Sequence, residues 1–162
     1  MRVLRIKRVK TSIKGGVGSQ INCESLESER RMREFLRSKI HNAVVTKADL
    51  DYEGSIGIDA ALLDGAAIKP YESVEVYNIS NGERLRTYAI ELPSGSGRIE
   101  SNGAAAHLIR CGDRVIIAAY SWISETEIEH HKPKVLILGP DNSIKNQFEG
   151  ATQLSSTQAG GL

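Results

Sequence analysis

The chain has 162 residues, 40% of them hydrophobic and 25% charged, and a formal net charge of +1. That length suits one domain, and near-neutrality excludes the strong overall field that draws a protein to nucleic acid or an anionic membrane. Two cysteines, Cys23 and Cys111, lie far apart without metal or redox spacing, and no apolar run approaches the ~20 residues of a spanning helix. No apolar stretch of signal-peptide length follows the basic amino terminus, so a soluble, cytoplasmic domain is expected.

Residues 1–31 differ from the rest. Arg2, Arg5, Lys7, Arg8, Lys10 and Lys14 come without an acidic residue before the glycine-rich run Gly15-Gly16-Val17-Gly18-Ser19. The segment reads as a solvated, partly disordered extension in preference to a basic arm for an anionic partner. A simpler alternative makes Met32 the translation start and the extension not native. The glycine run resembles a phosphate loop, but Ser19 stands where that loop needs a lysine, so no nucleotide site is expected there.

From Phe35 onward the pattern is strand-like. Val44-Val45-Thr46 and Ile56-Gly57-Ile58 are β-prone, and Asp59 suits the N-cap of a short helix over 60–64 closed by Gly65. Residues 74–79 alternate apolar and polar, Asn81-Gly82 signals a tight turn, and 84–92 supplies the returning strand. Asn102 is placed to cap an alanine-rich turn over 103–107. Gly112-Asp113 precedes an apolar strand at 115–120, and Val135 to Leu138 forms another before Gly139-Pro140-Asp141-Asn142. A flexible tail is expected over 147–162. Many short strands between frequent turns predict a mainly β fold, a small β-barrel with short helices, over 32–146.

Between two of those strands stands Tyr52-Glu53-Gly54-Ser55. Glycine leaves its carbonyl unshielded and tolerates unusual backbone angles, and a hydroxyl one residue on can reach that carbonyl through a five-membered ring. Gly-Ser alone is an ordinary turn dipeptide. A hydrolase serine would need a Gly-x-Ser-x-Gly elbow, and Glu53 stands where its first glycine belongs. His130-His131 lacks partner ligands at useful spacing, so no metal is expected.

Lys39-Ile40-His41, 45–50, Tyr52-Glu53-Gly54-Ser55, Asn81-Gly82-Glu83-Arg84, Thr87-Tyr88 and 102–107 occur together and in order. With these segments the core resembles the pyruvoyl-dependent aspartate 1-decarboxylases along its whole length. The resemblance implies a double-psi β-barrel, a homotetramer with active sites between subunits, and L-aspartate as substrate. It implies self-cleavage between Gly54 and Ser55, with Ser55 becoming a covalent pyruvoyl group that captures the substrate amine. By the same match Tyr88 is the proton donor, while Thr87, Gly103, Ala104, Ala105, Arg84 and Lys39 bind substrate. His41, Tyr52 and Asn102 support the site.

Strand alternation puts Arg84 and Tyr88 on one face, Lys39 and His41 on one face of another strand, and Thr87 opposite Tyr88. A guanidinium fork suits a carboxylate. Without the resemblance, Arg84 is a solvated hairpin charge, Tyr88 a packing aromatic and His41 a structural histidine. The product implied is β-alanine for pantothenate synthesis. Two alternatives stay open, a pyruvoyl decarboxylase of another amino acid and a non-enzymatic ligand-binding barrel. Whether maturation needs a helper protein is not readable from the residues.

Overall fold

The computed structural model describes residues 31–150. The basic extension, its glycine run and Cys23 lie outside the described residues, as do residues 151–162 of the expected tail. The chain runs β1 (Met32–Val44), β2 (Lys47–Asp49), β3 (Ile56–Asp59), α1 (Ala60–Ala66), β4 (Ser73–Asn78) and β5 (Arg84–Leu92). It continues through β6 (Ile99–Asn102), a 3-10 turn (Gly103–His107), β7 (Arg114–Ser124), β8 (Lys134–Leu138) and β9 (Ile144–Glu149). A further short 3-10 turn spans Ile128–His130.

The fold is mainly β, a small barrel built from one mixed sheet in the order β2-β6-β3-β5-β4-β7-β1-β8-β9. β1 pairs parallel with β8, β2 with β6 and β3 with β5, while the remaining neighbours are antiparallel. Parallel neighbours cannot be joined by tight hairpins, so the chain crosses over the barrel between them. The interior is filled by branched aliphatics, among them Ile40, Ile56, Ile58, Ile99, Ile117 and Leu136, all buried. Such side chains fit a pleated, covered surface.

The hairpin follows its sequence signals closely. β4 and β5 pair from Ser73↔Tyr88 to Tyr77↔Arg84, and Gly82 takes φ 83° in the turn between them. Asp59 caps α1 as expected, accepting from the Ala61 N–H at 2.8 Å. Its carboxylate also accepts from the Gly95 N–H at 2.9 Å and the Gly97 N–H at 2.6 Å, fastening the β5–β6 loop to the helix start. Burial pushes this carboxyl up, but the N–H donors of Gly97, Ala61 and Gly95 outweigh it and hold it below its ordinary value.

Three local expectations are corrected. The helix runs past Gly65 to Ala66 and ends on Ala67, which takes the left-handed conformation at φ 54° and whose N–H closes onto Asp64 and Leu63. Asn102 gives no side-chain cap to the turn it precedes, because its side chain is buried in the sheet. Gln147, Phe148 and Glu149 form the end of β9 against β8, so regular structure continues beyond 146.

Closure of the sheet depends on side chains as much as on ladders. The Val45 N–H donates to Asp113 O at 2.9 Å and the Thr46 N–H to Ile99 O at 2.7 Å, tying the link between β1 and β2 to the start of β7 and to β6. Asn142, buried and at φ 59°, accepts from the Val44 N–H at 2.7 Å and donates to Val44 O and Gly97 O at 2.8 and 2.7 Å. Asn142→Ala would strand several buried polar groups, each costing about 1–3 kcal/mol. We expect roughly 3 kcal/mol of lost stability in urea unfolding, and a loss below ~0.5 kcal/mol would show that this seam is held by other contacts.

Candidate active site at the Gly54-Ser55 junction

Ser55 stands immediately before β3, opposite Tyr88, since Ile56 pairs with Ala89. It is 5% exposed. The hydroxyl fills the last rung between β3 and β5. Its Oγ donates to Tyr88 O, accepts from the Tyr88 N–H at 3.0 Å, and lies 2.7 Å from Thr87 Oγ1. On the other side the Asn102 N–H donates to Ser55 O at 3.0 Å. The serine is thus gripped by both neighbouring strands. None of its hydrogen-bond partners is a histidine or carboxylate.

Gly54 lies at φ +128°, a conformation that L side chains rarely adopt, and a Cβ there would come within 2.6 Å of Ile90 Cδ1. The same added atom would sit 3.9 Å from the Tyr88 hydroxyl, which places that phenol beside the Gly54-Ser55 peptide. Gly103, at φ +56°, backs the peptide from the other side. A Cβ on Gly103 would lie 3.2 Å from Gly54 O and 3.3 Å from Tyr52 O. Glycine at both positions is what lets two main-chain segments and a phenol converge here.

A recess of about 380 Å³ opens over the junction, lined by Gly54, Ser55, Thr87, Tyr88, Asn102, Ala104 and Ala105 together with Leu85, Arg86 and Leu108. Tyr88 is 42% exposed and presents its ring at the mouth. Asn102 Oδ1 is buried without a hydrogen-bond partner. An unpaired acceptor in a recess is a group awaiting a donor, since leaving it unmet costs free energy. A larger cavity exists elsewhere, but this one holds the Ser55 hydroxyl against Gly54 in its glycine-favouring conformation.

Other expected residues stand apart. Arg84 is exposed at the hairpin end with its guanidinium 5.1 Å from the Tyr77 ring centre, outside the recess. Tyr77 itself is held protonated, its phenol pushed up to about 12 by burial and by the Tyr120 hydroxyl at 2.9 Å. Lys39 and His41 lie on β1, alternating with buried Ser38 and Ile40, and so share a face. Burial lowers the His41 pKa, with Lys39 and Arg114 adding to the effect, and its Nδ1 is buried without a partner. Tyr52 is 53% exposed, and only its carbonyl approaches the site, at Gly103.

Three lining residues, Leu85, Arg86 and Leu108, were missed. Arg86 reaches the recess and donates through Nε to Ser73 Oγ at 2.8 Å. The signal was present, because the alternation that pairs Arg84 with Tyr88 also includes Arg86. Thr87, expected opposite Tyr88, does lie on the other face of β5, and its hydroxyl reaches Ser55 Oγ at the end of β3.

Fold and site together define a small β-barrel with a recess in which a phenol stands beside a buried main-chain Gly-Ser junction. Comparison with known proteins narrows the class. The sequence model of the family described as aspartate decarboxylase matches residues 31–145. The aspartate 1-decarboxylase of Methylibium petroleiphilum is 53% identical over 114 residues, covering 70% of this chain and 95% of the relative. That of Ralstonia nicotianae is 52% identical over 113 residues, 70% and 94% of the two chains. The relative from Desulfotalea psychrophila, of the same name, is 48% identical over 114 residues, 70% and 96%. The chain belongs to the aspartate decarboxylase family.

Gly103→Ala tests the packing at the junction. An alanine at φ +56° costs about 1–2 kcal/mol, and its methyl presses on Gly54 O. A fall in Tm of about 2–8 °C is expected. An unchanged Tm would mean that the two segments are not held in this contact.

Proposed function

We propose that the protein decarboxylates L-aspartate to β-alanine and CO2, using a pyruvoyl group made from its own Ser55, and so supplies β-alanine for pantothenate synthesis. The observation that carries this reading is the Gly54-Ser55 junction, where a gripped hydroxyl lies beside a peptide in a glycine-only conformation. Family membership supports the reaction, and the relatives are named for it.

The residues present suit the formation of that group. Ser55 Oγ bonds to the Gly54 carbonyl carbon, the C–N bond breaks, and the hydroxyl proton passes to the nitrogen. Loss of the Ser55 α-proton then breaks the Cβ–O bond, releasing the Gly54 carboxylate and leaving a dehydroalanine. Water exchanges its nitrogen for oxygen and ammonia departs. Tyr88 O and Thr87 Oγ1 fix the orientation of the hydroxyl. A pyruvoyl group supplies an electrophilic carbonyl for the substrate amine and a sink for the electron pair left by CO2.

Around it, Tyr88 holds the proton delivered to the substrate α-carbon, and the backbone of Gly103, Ala104 and Ala105 with Thr87 positions the substrate. Arg84 and Lys39 attract its carboxylates, while His41, Tyr52 and Asn102 orient neighbours. In one chain Arg84, Lys39 and His41 lie outside the recess. That separation favours a homotetramer whose adjacent copies complete each site. Ser55→Ala should leave one intact chain under denaturing mass spectrometry and make no β-alanine, whereas the parent gives fragments ending at Gly54 and beginning at the former Ser55. Full turnover by Ser55→Ala sinks the mechanism. Tyr88→Phe should still be cleaved but decarboxylate about 10²–10⁴-fold more slowly, the usual worth of a general acid.

A further inference from the structure

A second cavity, of about 520 Å³, shares no lining residue with the recess at Ser55. It lies between β1, the end of β7 and the segment leading into β8, and its volume falls within the range of small-molecule sites. Its charged lining comprises Arg37, Lys132 and Lys134 against the single carboxylate of Glu127. That carboxylate is engaged by Ser124, through its N–H at 3.1 Å and its Oγ at 2.6 Å. Arg37 pairs with Glu72, and Lys134 with Glu149 at 3.2 Å, but Lys132 has no ion pair among the described residues. His130, left without a role as a metal ligand, is exposed on the same wall.

Two further groups are unaccounted for. Ser38 is fully buried, lines the cavity, and its Oγ has no hydrogen-bond partner. A buried hydroxyl without a partner implies one not yet present. Trp122 lies on the cavity wall with 64% of its surface exposed, far more than a large aromatic left to pack would show. Cations, a buried donor and an open indole face together suit a ligand with an anionic end and a flat ring.

We infer that this cavity binds a phosphorylated aromatic small molecule of the nucleoside monophosphate class. Lys132 and His130 meet the phosphate, the ring stacks on Trp122, and Ser38 bonds a polar group at the floor. The site is independent of the chemistry at Ser55. It carries its own reporter, because Trp122 is the only tryptophan of the sequence.

Tryptophan fluorescence of the full chain should change saturably on titration with AMP, while adenosine and inorganic phosphate bind at least tenfold more weakly. Lys132→Ala should weaken AMP about tenfold and leave β-alanine formation intact. Trp122→Leu, followed by calorimetry, should reduce AMP to the affinity of phosphate. Absence of saturable AMP binding by both fluorescence and calorimetry overturns the site. Unaltered AMP affinity in Lys132→Ala overturns the phosphate assignment, and unaltered affinity in Trp122→Leu overturns the stacking.

Discussion

The grip on the Ser55 hydroxyl is the constraint around which the rest of the site is arranged. An exposed serine rotates freely among three rotamers, and none is favoured enough to keep its oxygen on a neighbouring carbonyl. Here the main chain of Tyr88 bonds it from both its N–H and its carbonyl, and Thr87 supplies a second hydroxyl. That arrangement requires β3 and β5 to run parallel and in the observed register, with Ile56 opposite Ala89. A slip of one residue would present Ala89 or Thr87 instead and turn every side chain of β5 to the other face. The barrel therefore serves the site chiefly by fixing a register.

What holds the register is the buried framework beyond β3. All four β3 residues are buried, with Ile56 and Ile58 covered by the core and Asp59 tied to the following loop. Aliphatic packing supplies most of the stability, about 1.5–3 kcal/mol for each such side chain fully buried. It is poorly directional, however, and several registers could bury the same area. The polar anchors at Asp59, Thr46 and Asn142 discriminate among them, because each has one partner set and a penalty if it is missed.

Much of this was legible in the residues. Asn81-Gly82 flanked by alternating side chains gave the hairpin, and Asp59 before an apolar run gave the start of α1. β9 escaped notice because Ile144 and Phe148 are its sole apolar members and it lies exposed at the sheet edge, where little patterning is demanded. The ending of α1 was misplaced because tertiary packing let Ala67 take the conformation that Gly65 could adopt at less cost. At the site, the resemblance to the decarboxylases pointed to the serine, the phenol and the alanine-rich turn, and all three line one recess. Which arginine reaches that recess was not decidable, since alternation treats Arg84 and Arg86 alike. The contact of Gly103 with Gly54 O joins segments far apart in the chain, and no local pattern encodes it.

The position of the Gly54-Ser55 junction has a consequence for the life of the molecule. β1 and β2 precede it, and β1 lies within the sheet between β7 and β8. Under the proposed cleavage, those two strands would become a separate peptide retained only by noncovalent pairing and packing. The instructions for assembling the barrel would then be divided between two molecules, and unfolding would become a one-way loss at low concentration. Such a molecule would keep its shape only by never letting go.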